Sequence, residues 1–269
     1  MEYIVLIIVG FAAGVLGGLL GIGGSVLMIP AMIWVLGARD SQGHEMMLQY
    51  QAAAMIVNFF IALLSARGHN KADAIYKSVW KTFLPIAIIS VILGVLAAKT
   101  PLFDGNGAKL LRYAFAAMML YVTISNLLKL VIPATQDGLD EPQVNALRMW
   151  RKITVSGVFG FSAGILGIGG GAIAVPMMHS LMKMPLRNAI ATSSALIIIT
   201  SVIGAVIKNV TLGDNGSIML SLQYAAILSP TAIVGGLLGS MLTHKLPLKY
   251  IRIAFVIVMS VAIWKTITA

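Results

Sequence analysis

The sequence predicts an all-α integral membrane protein of two inverted-topology repeats, each with about five apolar segments and a broken or re-entrant helix at a glycine-rich motif. Three observations carry that expectation. The first is composition: of 269 residues, 59% are hydrophobic and 10% charged, with a mean hydropathy of +0.94, more apolar surface than a soluble domain can hide. The second is that the apolar stretches are continuous rather than alternating, which suits helices of roughly 20 residues and not the strands of a β-barrel. The third is internal likeness. Residues 18–30 read GLLGIGGSVLMIP and residues 164–176 read GILGIGGGAIAVP, seven identities in thirteen positions.

Cutting the chain at charges, glycine and proline gives the segments in order. Segment A (3–20) starts after Glu2, which together with the lack of a small-residue cleavage pattern marks a retained membrane segment rather than a signal peptide. B (24–37) follows the double glycine, carries Pro30 and stops before Arg39; its length of about 14 residues is short for a full crossing. C (46–66) lies between Glu45 and Arg67, D (79–98) ends at Lys99, and E (109–132) ends at Pro133. These make up a first transmembrane repeat, 1–132. Residues 133–151, with Asp137, Asp140, Glu141, Pro142, Arg148 and Arg151, form the one polar stretch long enough to link two halves. The second repeat, 152–269, holds A′ (153–167), B′ (171–183), C′ (189–208), D′ (218–243) and E′ (249–268). Pro85 and Gly94 in D match Pro230 and Gly239 in D′, and Arg112, Ala114 and Phe115 match Arg252, Ala254 and Phe255. Duplication of this kind is a feature of transporters that bind substrate between their halves.

Charge sets the expected orientation. The net charge of +10 would suggest nucleic acid in a soluble chain, but here the basic residues sit between apolar segments, where they report topology. The C–D connection carries Arg67, Lys71, Lys77 and Lys81 against Asp73, whereas C′–D′ sets Lys208 against Asp214. D′–E′ carries His244, Lys245, Lys249 and Arg252, and B′–C′ carries Lys183 and Arg187, while B–C balances Arg39 against Asp40 and Glu45. Placing basic connections in the cytoplasm inverts one repeat relative to the other; Lys99, Lys109 and Arg112 in D–E pull mildly the other way. Inversion needs an odd number of crossings per half, met by five full spans or by three spans and a re-entrant A/B hairpin.

At membrane depth an unsatisfied backbone amide costs several kcal/mol, so a broken helix needs protein, water or a ligand to complete it. Around Gly21, Gly23, Gly24 and Ser25, and around Gly167, Gly169, Gly170 and Gly171, the absence of side chains lets a ligand approach backbone N–H groups at the positive end of the following helix. That chemistry suits an anion. Alanine at Gly24 or Gly170 is expected to spare the helix wherever φ is ordinary while blocking the anion, or to forbid a required positive φ. The glycines at Gly14 and Gly18, Gly17 and Gly21, and Gly160 and Gly164 also have the spacing of helix-packing motifs, the simpler reading of any one stretch. Gln49, Gln51 and Asn58 on C and Thr192, Ser193, Ser194 and Thr200 on C′ are neutral hydrogen-bonding groups in apolar helices, either interhelical ties or cavity lining. His179 is read as the only histidine well inside an apolar segment, packing or binding a substrate or proton.

With the repeated G-x-x-G-I-G-G-[GS] motif, its proline and the small polar run Ala191–Thr192–Ser193–Ser194–Ala195, nearly the whole chain resembles the TauE/SafE family of sulfite and organosulfonate exporters. The first half has Gln49, Tyr50 and Gln51 where the family has its A-T-S pattern, so its contacts with the anion differ. The resemblance implies a secondary transporter exporting a small sulfur oxyanion or sulfonate across a bacterial inner membrane. The expected partners are that anion and the lipid bilayer, with a homodimer left open and no nucleic acid. A membrane-embedded enzyme is the rival class, and a non-transporting membrane scaffold subunit another. His44, Glu45 and Asp40 form no metal or catalytic motif, and there is no Walker A sequence and no cysteine, so no cofactor, metal or catalytic residue is expected. Few acids lie within the apolar segments, and the membrane potential alone, worth about 4.6 kcal/mol for a divalent anion at ~100 mV, could drive export.

Overall fold

The computed structural model describes residues 2–36, 43–100, 138–212 and 217–247, with helical positions between 113 and 128 and between 249 and 264. Most of E and E′, the charges Arg39, Asp40, Asp104, Lys109, Asp137 and Asp214, and the matched Arg112, Ala114, Phe115, Arg252, Ala254 and Phe255 lie outside the described residues. Among those described, nine helices are traced: α1 (Glu2–Leu20), α2 (Ser25–Leu36), α3 (Gly43–Lys71), α4 (Lys77–Ala98), α5 (Glu141–Asn145), α6 (Met149–Leu166), α7 (Gly171–Leu181), α8 (Leu186–Val210) and α9 (Ile218–Lys245). Eight fall on the expected segments A–D and A′–D′. The ninth, α5, lies in the polar linker, where an Asp140–Gln143 capping box and Pro142 in its first turn start a helix.

Four hydrogen bonds between helix ends fix how the long helices run. Lys208, near the end of α8, reaches Gln51 near the start of α3, and Gln49 accepts from the backbone N–H of Ser217 at the head of α9. At the opposite face, His69 near the end of α3 meets His244 near the end of α9, and Thr192 near the start of α8 accepts from the N–H of Tyr76 at the head of α4. Thus α3 and α8 run in opposite directions, as do α4 and α9. The apolar windows of α3 and α8 are 72% and 67% buried, against 33% and 39% for α4 and α9, so α3 and α8 form the middle of the bundle and the other two its flanks. The flanks turn Ile89, Leu93, Val234 and Met241 outward, an apolar surface suited to lipid.

The shorter helices are hairpins rather than separate crossings. At the ends of the α6–α7 pair, Arg151 donates to the carbonyl of Leu181, so the chain leaves by the face at which it entered. For α1 and α2 the same follows from reach. Ser25 sits beside Asn58, midway along α3, and the few residues between Leu36 and Gly43 cannot span more than roughly 25 Å, so α2 must return toward the head of α3.

Glycine sets how closely these hairpins pack on the flanks. A Cβ at Gly14 or Gly18 of α1 would collide with the carbonyl oxygens of Ala232 or Gly236 on α9, and one at Gly160 or Gly164 of α6 with those of Ala87 or Val91 on α4. The two seams therefore match position by position, with α1 seated on α9 and α6 on α4, each hairpin crossing to the other half. This is the small-residue packing that the spacing suggested.

The linker secures the head of α4. Glu141 accepts from the N–H of Ser78 at 2.6 Å, Tyr76 donates its hydroxyl to the carbonyl of Leu139, and the N–H of Leu139 donates to the carbonyl of Lys183. Burial, and then the charges of Asp140 and Glu141, push the Tyr76 hydroxyl above its ordinary pKa, so it stays a donor. Because Glu141 satisfies an otherwise orphaned first-turn amide, Glu141→Ala is expected to cost about 1 kcal/mol, read as a lowered melting temperature in detergent; an unchanged melting temperature would show that the cap contributes nothing.

Candidate functional site

The two breaks meet in the middle of the bundle. Gly21 and Gly23 in the first and Gly167, Gly169 and Gly170 in the second all have φ between +64° and +80°, left-handed backbone that disfavours any residue with a Cβ. These turns end α1 and α6 and let α2 and α7 start inside the protein. They touch: a Cβ on Gly171 would run into the carbonyl oxygen of Gly21. Every residue from Leu19 to Pro30 and from Leu166 to Ala172 is buried.

Asn58 is the side chain between the breaks. Its Oδ1 accepts from the N–H groups of Gly24 (2.7 Å) and Ser25 (3.0 Å), and its Nδ2 donates to Ser25 Oγ at 2.7 Å. The glycine at Gly169 leaves room for that same amide, whose Nδ2 would lie 3.1 Å from a Cβ there. The positive end of α2 is thus completed by a neutral protein acceptor, in the place where an anion was expected to bind. Ser193 Oγ donates to the carbonyl of Gly21 at 2.8 Å, and Gln51 packs its Cβ and Cγ over Gly167. Each central helix so sends one polar residue to the other half's break.

The remaining expected residues separate. Gln49 and Thr192 serve the heads of α9 and α4, as described above. Ser194 and Thr200 donate back to their own helix, at Ile190 and Leu196. His179 lies some 12 Å along α7 from its start, half-buried, with Nδ1 donating to the carbonyl of Met184 at 2.8 Å. It closes the α7–α8 connection.

Two pairs of expected positions are told apart here. Gly170 cannot accept a methyl harmlessly, because its φ is +80° and a Cβ would meet the carbonyl oxygen of Phe159; only Gly24, opposed mainly by the flexible tips of Ile61 and Met28, has ordinary backbone and yielding neighbours. Among the described histidines His179 is half-buried, whereas His69 is fully buried. Its Nε2 donates to the carbonyl of Gly18 (3.3 Å), which leaves Nδ1, in the neutral ring, to accept from His244 Nε2 at 3.1 Å. The polar setting of residues 65–71 hid it, since α3 continues through them.

Lys208 is the group that reading by segments missed. Counted as a charge of the C′–D′ connection because C′ ends on it, it lies inside α8 and is 2% exposed, its Nζ 2.7 Å from Gln51 Oε1. No carboxylate pairs with it among the described residues. The signal was its register, because Ser194, Ser201 and Lys208 repeat every seven residues along one stripe of the helix. No cluster of three metal-ligating side chains occurs among the described residues.

Comparison with known proteins finds membrane transporters. The family described as sulfite exporter TauE/SafE matches residues 6–266. The probable membrane transporter protein YunE of Bacillus subtilis is 28% identical over 263 residues, 93% of this chain and 92% of that protein. The probable membrane transporter protein MJ0441 of Methanocaldococcus jannaschii is 28% identical over 253 residues, 92% of this chain and 89% of its own length. The probable membrane transporter protein MamO of Paramagnetospirillum magneticum is 27% identical over 290 residues, and there the match takes in 98% of this chain but 44% of the relative. No solved structure matches.

Proposed function

The chain belongs to the sulfite exporter TauE/SafE family, a multi-pass membrane transporter, and on that premise we propose that it exports a small sulfur oxyanion or sulfonate held between its two broken helices. The meeting of two buried, left-handed glycine turns at the centre of the bundle carries the reading, since a paired interruption of this kind is where transporters place substrate. The helix starts at Ser25 and Gly171 bring N–H groups and positive dipole ends to that point. In this conformation Asn58 holds the amides of Gly24 and Ser25. The anion takes them when Asn58 swings aside, so the broken backbone is satisfied in both states.

The opposed directions of α3 and α8, the exchanged hairpins and the sequence likeness support two inverted repeats, 1–132 and 152–269. Inversion gives alternating access a simple form, one hairpin and its flank rocking against the other. Efflux of a labelled panel of sulfite, sulfate, sulfoacetate and chloride from proteoliposomes tests the substrate. Potential-driven efflux of the sulfur anions above chloride is expected; a panel in which none moves faster than in protein-free vesicles overturns the assignment.

Topology gives a second check. The contact of His69 with His244 puts the ends of α3 and α9 at one face, together with the exposed cations Arg67, Lys71, Lys77 and Lys81. That face is expected to be cytoplasmic. With no native cysteine, Asn70→Cys should resist an impermeant maleimide in intact cells and react in inverted vesicles. Labelling of intact cells would reverse the orientation.

A further inference from the structure

The central α3–α8 contact holds an arrangement that helix packing does not need. Lys208 buries its amino group in the protein although its Cα is two residues from the end of α8, where the long side chain could snorkel to water. Instead it turns inward to Gln51 Oε1. Gln51 is wholly buried, and its Nε2 has no hydrogen-bond partner. The two side chains thus present an ammonium with donors to spare and an unused amide N–H₂, with a neutral acceptor as the only partner of the cation among the described residues. Burying a charge so sparsely compensated costs several kcal/mol, and a leucine or methionine would pack there at less cost.

We propose that Lys208 and the free amide of Gln51 form an anion-binding subsite of the transport pathway, beside the second break. Gln51 ties the subsite to that break through its packing over Gly167. Lys99, the C-cap of α4 at the same end, adds positive charge near Lys208. The ligand chemistry is that of an oxyanion with at least two acceptor oxygens, one for the ammonium and one for the amide N–H₂; a halide can satisfy the charge but not both donors. The subsite is one-sided. Aligning the polar run at 49–53 with that at 191–195 sets Ala66 of α3 opposite Lys208 of α8, so the cation lies only toward the face holding the heads of α3 and α9. An anion that has passed the central break meets it there.

This inference rests on the reading of the chain as an anion transporter, and the test separates the two. Binding of sulfite, with chloride for comparison, is measured on the purified protein by calorimetry and by thermal shift. If the parent protein binds neither sulfite nor any other oxyanion of the panel, the transporter reading fails. If the parent binds sulfite and Lys208→Met binds it equally well, the subsite fails and the reading stands. The expected result is a loss of roughly 10- to 100-fold in sulfite affinity for Lys208→Met, as for one charged hydrogen bond, near-parent affinity for Lys208→Arg, and an unliganded melting temperature at or above that of the parent. Should Lys208→Met not fold, Gln51→Glu supplies the answer, because a carboxylate beside Lys208 occupies the cation and should weaken sulfite by a comparable factor; parent-like sulfite affinity in Gln51→Glu would overturn the proposal.

Discussion

Asn58→Asp is expected to fold and to stop transport. The carboxylate keeps the acceptor on the amides of Gly24 and Ser25, charge now strengthening both bonds at the positive end of α2, and Ser25 Oγ can turn its hydroxyl to donate where it now accepts. For an incoming anion the same carboxylate is a like charge at contact distance, worth about 4 kcal/mol at an effective dielectric of 20 and 4 Å, which corresponds to roughly a 10³-fold loss of affinity. Asn58→Leu should act otherwise: it strands two buried N–H groups and a hydroxyl, at about 1 to 3 kcal/mol each, so folding fails before transport can be asked about. Melting temperature and proteoliposome efflux measured on the same preparations separate the outcomes. An Asn58→Asp protein with parental efflux would remove the anion from the break.

Alanine substitutions one turn apart on α6 are expected to have opposite effects. At Gly160 a Cβ would stand 2.5 Å from the carbonyl oxygen of Ala87 and 2.8 Å from Ser90 Cβ, so α6 and α4 must separate. Overpacking of this sort costs about 1 to 3 kcal/mol and more against rigid backbone. At Gly157 the nearest atom is Ser90 Oγ at 3.8 Å, ordinary contact, and alanine should raise stability by up to about 1 kcal/mol through helix propensity. Thermal melts in detergent read both. Equal effects of the two substitutions would mean that the α4–α6 seam is not as close as described.

The long helices were legible because hydropathy and punctuation by charge act locally, and D and D′ were placed to within two residues at either end. C was drawn short, since Arg67, His69 and Lys71 look like a loop; the backbone stays helical there because His69, like Ser65 one turn earlier, finds a carbonyl on a neighbouring helix, that of Gly18 for His69 and of Gly236 for Ser65. The glycine motifs were visible as breaks. Whether A and B crossed twice or turned back depended on what Ser25 packs against, information held at Asn58 on another helix. For the site, residue type was readable and partnership was not: Ser193 and Asn58 converge on the breaks, while Thr192 and Gln49, each within two positions of a residue that does, face the heads of other helices. Lys208 was misplaced because a charge near a helix end ordinarily marks the membrane surface, and only a buried amide across the bundle turns it inward.

The exchanged hairpins bear on biogenesis. The seat of α6 is α4, already in the membrane when α6 emerges, but α1 has to wait for α9, roughly 200 residues later, which at 5 to 20 residues per second is about 10 to 40 s of elongation. Through that interval the glycines of α1 have no seam to enter, and the nascent first hairpin is open to quality-control proteases. Closure of the α1 seam therefore waits for α9. Ribosome stalling before Ile218 should leave α1 crosslinkable to lipid, and elongation past Lys245 should abolish that crosslink; substitutions at Gly14 should lower the amount of protein in the membrane well before they alter the activity of the molecules that survive.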